Sequence, residues 1–182
     1  PYTVNYYGIE YDKRYGPNQF QAAAMRVATW RISTLERLNN VMAEAPNTVK
    51  ELKRIAQLEV SAREPFRDSE GPQSLDQDWL KKSEVLLYDC RSIAESLTKT
   101  LLKLDSEQIR PPFDGAAVDQ EVRQKRKIIV RIIQRQLDTA DELKARALKI
   151  SNRWTSLKDG NGTESTPWPE GTIVDVSENL SD

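Results

Sequence analysis

The chain has 182 residues, enough for one domain with extensions and for a core that stands without metals or disulfides. Lys and Arg number 27 against 28 Asp and Glu, so any basic feature is a local face and not a general polyanion-binding character, which weakens a nucleic-acid reading. The absence of histidine removes the usual general base, metal ligand and pH switch.

The single cysteine, Cys90, has no partner for an internal disulfide or a cysteine zinc cluster, and its place among helical apolar residues reads as a small core filler. A reducing, cytoplasmic setting is the expectation. No apolar run approaches the ~20 residues needed to cross a bilayer. The sequence starts at Pro1 and not at Met, which leaves room for an upstream segment that anchors the protein to a membrane or addresses it to the nucleus.

Residues 1–16 hold five of the six tyrosines and close on Gly16-Pro17; they read as an irregular arm. Residues 17–64 form an N-terminal helical segment. Asn18 is a plausible cap for a long amphipathic helix to Ala45, with Phe20, Ala24, Val27, Leu35, Leu38 and Met42 on its apolar side. Ala45-Pro46-Asn47 is expected to interrupt it, with Asn47 capping a second run whose apolar positions are Val49, Leu52, Ile55, Ala56 and Val60. Pro65 should end that run, and residues 65–75 read as a loop.

From Gln73 to Arg110 there is no proline or glycine, and Trp79, Ser83, Leu86, Cys90, Ile93, Leu97, Thr100 and Leu104 alternate steps of four and three, the rhythm of bundle packing. A second uninterrupted run, from about Ala116 to Leu157, sets Ile129, Ile133, Gln136, Ala140, Leu143, Ala147, Ile150 and Trp154 on the same rhythm. These two helices occupy residues 76–157. Residues 158–182 read as a polar tail in which TIVDV is the part expected to pack. The fold class that follows is all-α: an antiparallel bundle of three long helices with an additional N-terminal helical extension. Trp79, Trp154 and Tyr88 read as core or rim packing.

The stretch VRQKRKIIVRIIQRQLD, residues 122–138, carries six cations among two isoleucine pairs. Its i+4 row Val122, Arg126, Val130, Gln134 and Asp138 reads as a second, mixed face beside the row of Ile129 and Ile133. A guanidinium fork, an aliphatic spacer and an amide on successive turns suit a protein surface better than a phosphate track.

ESLTKTLLKLD (residues 95–105), a proline-containing loop, and VRQKRKIIVRIIQRQLDTADEL (residues 122–143) together resemble the last two helices of the BAG domain. That module binds the ATPase domain of 70-kDa heat-shock chaperones. The resemblance spans approximately residues 76–152, with the middle of the chain as the first bundle helix. It implies chaperone-contact residues Glu95 and, ten positions on, Asp105 in the second helix, and Arg126, Lys127 and, eight positions after the arginine, Gln134 in the third. It further implies nucleotide exchange: gripping the open ATPase domain so that ADP leaves, with Arg126 as the anchor, Glu95 and Asp105 meeting cations, and Gln134 giving a neutral hydrogen bond.

Two other readings compete. One is a helical scaffold or interaction domain without effect on nucleotide. The other is nucleic-acid binding through Arg123, Lys125, Arg126, Lys127, Arg131 and Arg135, disfavoured because these side chains spread around the helix and the net charge is slightly negative. No nucleophile–base pair, Gly-rich phosphate loop or metal spacing occurs in the sequence, so the expectation is a monomeric non-enzyme with no cofactor, no metal, no nucleic-acid partner and no membrane contact from this segment.

Overall fold

The computed structural model describes residues 3–6, 9–12, 17–66, 77–111 and 117–158. In chain order these form strands β1 (Thr3–Tyr6) and β2 (Ile9–Asp12), helix α1 (Pro17–Arg63), a 3-10 turn (Glu64–Phe66), helix α2 (Gln77–Ser106) and helix α3 (Gln120–Lys158). The all-α bundle of three long helices is thus present. The tail beyond Lys158, its TIVDV segment, residues 67–76 of the first loop and the Phe20 side chain lie outside the described residues.

The N-terminal arm corrects the sequence reading, which gave residues 1–16 no regular structure. β1 and β2 pair antiparallel, with Thr3 opposite Asp12 and Tyr6 opposite Ile9. Thr, Val, Tyr and Ile are the residue types that favour strands, and two four-residue strands are too short to show a period of two.

Helix α1 is the second correction. Pro17 opens it, where a missing N–H costs nothing because first-turn donors have no intrahelical partner. The expected break at Pro46 does not occur: the helix runs through Pro46 and Asn47 to Arg63. Proline deprives the Met42 carbonyl of one hydrogen bond. Pro46 and Met42 are both exposed, one turn apart on one face, so water is at hand to replace that bond. Pro65 does end the helix as expected, in the 3-10 turn.

By packing, the chain divides into two compact units, Pro1–Ala45 with Lys99–Ile132, and Pro46–Thr98 with Ile133–Asp182. In the first unit Val27, Thr34 and Leu38 of α1, Leu104 of α2, and Val122 and Ile129 of α3 are buried. In the second, Leu52 and Ile55 of α1, Leu86, Cys90 and Leu97 of α2, and Leu143, Ala147 and Ile150 of α3 are buried. There Phe66 meets Trp154 edge-on, ring centroids 4.8 Å apart at 61°, and the Arg153 guanidinium lies over the Phe66 ring, 5.6 Å from its centroid.

All eight α3 seam positions expected from the four-three rhythm are buried, and six of the eight on α2, Trp79 and Thr100 being half-buried. The outward side of α1 was read less well. Met42 and Val60, assigned to its apolar side, are exposed, as is Tyr88 of α2, 70% accessible. The polar Thr34 and Glu59 are buried in their stead.

Candidate protein-docking surface

The start of α3 is set by Asp119, whose Oδ1 accepts hydrogen bonds from the backbone N–H of Glu121 at 3.0 Å and of Val122 at 3.1 Å. An aspartate there satisfies two of the orphan donors of the first turn. The cap explains why α3 begins at Gln120 and not near Ala116. Just before it, the Asp119 N–H donates to the Ile109 carbonyl at 3.0 Å, tying the end of the α2–α3 connection to its beginning. Residues 112–116 of that connection lie outside the described residues.

From this start, Val122 turns inward and is buried, Arg126 and Val130 are half-buried, and Gln134 and Asp138 are exposed. The expected mixed face is therefore corrected: the i+4 row is a spiral and not a face. Each step of four residues advances about 40° around the axis, so four steps carry the row from core to solvent.

Arg126, in the first unit, reaches the last turn of α2, where its Nη2 donates to Asp105 Oδ1 at 2.9 Å. The Asp105 side chain is 68% accessible and that of Arg126 24%. Two of the five residues singled out from the sequence are thus brought together. Lys127, the next residue, is exposed and makes no ion pair among the described residues. Glu95 and Gln134 belong to the second unit, and both are exposed without a side-chain partner among the described residues.

One carboxylate oxygen occupies a single hydrogen-bonding direction of Arg126. A guanidinium has five N–H donors in a planar fork, so donors remain for a second acceptor. The pair also lowers the net charge that a partner must desolvate.

Sequence reasoning missed the ion pairs that surround this spot. Arg37 donates from Nε to Glu107 Oε1 at 2.9 Å and from Nη2 to Glu107 Oε2 at 3.0 Å, a two-pronged contact that raises the Arg37 pKa, chiefly through the Glu107 hydrogen bond. Arg31 pairs with Glu121, and its Nε lies 3.3 Å from Asp119 Oδ2. Pairs separated by 70 to 90 residues leave no spacing signature in a single sequence. The Asp119 cap did have one, an aspartate directly ahead of a helical run.

The second unit holds an ion pair of its own, Arg54 to Asp89 at 2.6 Å, and a buried carboxyl, Glu59. Burial raises the Glu59 pKa above the usual carboxylate value, against the lowering fields of Arg63 and Arg146. Burial likewise pushes the Cys90 thiol up to about 11, which fits the core-filler reading. Among the described residues no group of three or more Cys, Asp or Glu could hold a metal ion, and no helix is long and apolar enough to cross a membrane.

The comparisons with known proteins agree with the resemblance drawn from residues 95–143. The curated Arabidopsis thaliana protein "BAG family molecular chaperone regulator 4" is 27% identical over 183 aligned positions, which take in 94% of this chain. The chain spans 64% of the length of that relative. No solved structure matches. The BAG domain family profile matches residues 38–143, more than half of the sequence and inclusive of Glu95, Asp105, Arg126, Lys127 and Gln134. With that match across its three helices, the chain belongs to the BAG domain family.

Proposed function

We propose that this chain is a co-chaperone that binds the ATPase domain of a 70-kDa heat-shock chaperone and promotes release of ADP. The observation that carries the reading is the family match over residues 38–143, which contains every contact residue inferred from the sequence. The Arabidopsis relative, by its name a molecular chaperone regulator, points the same way. Glu95, Asp105, Arg126, Lys127 and Gln134 are the proposed contact residues.

The mechanism needs differential affinity and no covalent chemistry. A protein that holds the open ATPase domain more tightly than the closed one shifts the population toward the open form, from which nucleotide leaves. Linkage then requires nucleotide to weaken co-chaperone binding by the factor by which the co-chaperone weakens nucleotide binding. Polar, charged contacts suit this task because they give fast, steered association and ready release.

Binding to the isolated ATPase domain, measured without nucleotide, with ADP and with ATP, tests the proposal. The expected result is tight binding without nucleotide and marked weakening with ATP. Affinity indifferent to nucleotide, or no binding in any state, contradicts it.

A further inference from the structure

Two of the residues proposed to dock stand at the two ends of one connection: Asp105 in the last turn of α2 and Arg126 in the second turn of α3. Besides the direct Arg126–Asp105 hydrogen bond, α1 holds both of those ends. Arg37 grips Glu107, two residues past Asp105, through the two-pronged contact at 2.9 and 3.0 Å, and Glu107 is 17% accessible. Arg37 also donates to Ser33 Oγ at 2.7 Å and to Thr34 Oγ1 at 3.1 Å, which ties its guanidinium to its own helix as well. Six residues earlier, Arg31 pairs with Glu121 in the first turn of α3, and its Nε, which makes no hydrogen bond among the described residues, lies 3.3 Å from Oδ2 of the cap Asp119.

An isolated surface ion pair contributes little to stability, but a two-pronged arginine–carboxylate pair within a network is the recognised exception. Here the partners are the residues that begin and end the connection. Asp119 serves twice, as cap of α3 through Oδ1 and as partner of Arg31 through Oδ2. The Asp119 N–H to Ile109 carbonyl bond closes the remaining gap. Arg31 and Arg37 both lie ahead of residue 38, where the family match begins, so this fastening comes from a part of α1 that the family profile does not cover.

We propose that Arg31 and Arg37 are positioning residues for docking: by clamping Glu107, Asp119 and Glu121 to α1 they set Asp105 and Arg126 in the register in which the pair meets its partner. The inference rests on the chaperone-binding reading above. Neither arginine touches the partner in this account. Each acts by raising the fraction of molecules whose α2 end and α3 start are correctly apposed, and apparent affinity scales with that fraction.

The test compares wild type, Arg37→Ala, and the charge-exchanged double variant Arg37→Glu with Glu107→Arg. Amide hydrogen exchange over residues 104–111 and 117–123 is followed on the chain alone, and ADP release from a 70-kDa chaperone is followed against co-chaperone concentration. Arg37→Ala is expected to speed exchange in these segments and to raise the half-saturating concentration roughly 3–10-fold while leaving maximal acceleration unchanged, as a reduced competent fraction demands. The charge-exchanged variant is expected to recover most of both losses.

Faster exchange with an unaltered half-saturating concentration overturns the positioning role. Unchanged exchange overturns the clamp itself. If wild type accelerates release at no concentration, the chaperone reading fails and the positioning role falls with it, a result told apart from the others because it appears in wild type.

Discussion

Arg126 Nη2 donates to Asp105 Oδ1 at 2.9 Å, so two side chains inferred to grip a chaperone already grip each other. In the proposed complex a partner's acceptors would meet a guanidinium that is already held in place, which would reduce the rotamer entropy lost on binding. Arg126→Ala is expected to cost about 2–4 kcal/mol in chaperone affinity, the range for truncating a paired interfacial charge. Asp105→Ala should cost less, and the double variant should lose less than the sum, because the pair is shared. Dissociation constants for the four proteins give the cycle directly; strict additivity would contradict a shared pair.

Glu59 is buried to 2% accessibility, and its Oε1 has no hydrogen-bond partner among the described residues. Its pKa is raised, so the folded state binds a proton more tightly than the unfolded chain, and the ionised form carries a penalty at neutral pH. That penalty is fully present above the folded pKa and vanishes below the unfolded value near 4.5. Glu59→Gln should therefore raise the urea midpoint at pH 7, and the gain should shrink as pH falls toward 4.5. A gain independent of pH would refute the assignment.

Cys90, buried and with its thiol pushed up to about 11, should be inert in the native protein. The thiolate is the reactive species, and at pH 8 only about one thiol in a thousand is ionised at that pKa. Reaction with a disulfide reagent should follow the unfolding curve in denaturant. Rapid labelling of native protein would show that the α2 seam opens locally at Cys90.

Ile150 of α3 is fully buried in the second unit. Ile150→Ala should destabilise the protein by about 2–5 kcal/mol, the transfer term plus the cavity left behind. Tyr88→Ala, at an exposed position on α2, should fall within about 0.5 kcal/mol. Equilibrium urea unfolding distinguishes the two.

The helical architecture was legible in the sequence because α2 and α3 obey one constraint along their length. A four-three rhythm must face a partner, and Ile129 through Trp154 do so without exception. Pro46 misled because proline is read as a local breaker, whereas a 47-residue helix with an exposed proline loses a single hydrogen bond. The hairpin was missed because its strands are four residues each. At the docking surface, Asp105 and Arg126 were singled out through the family resemblance, whereas their mutual contact and the Arg31 and Arg37 ion pairs join residues distant in the chain and left no signal in it. Burial of the Glu59 carboxyl left no signal in the sequence, since it is decided by what packs over it.

Release of a fluorescent ADP analogue from a 70-kDa heat-shock chaperone, followed by stopped flow, tests the central claim most directly. Wild type is expected to accelerate release, and Arg126→Ala to lose most of that acceleration at the same concentration while remaining folded. Wild type that leaves the release rate unchanged would contradict the account and leave a helical scaffold of the BAG type in its place.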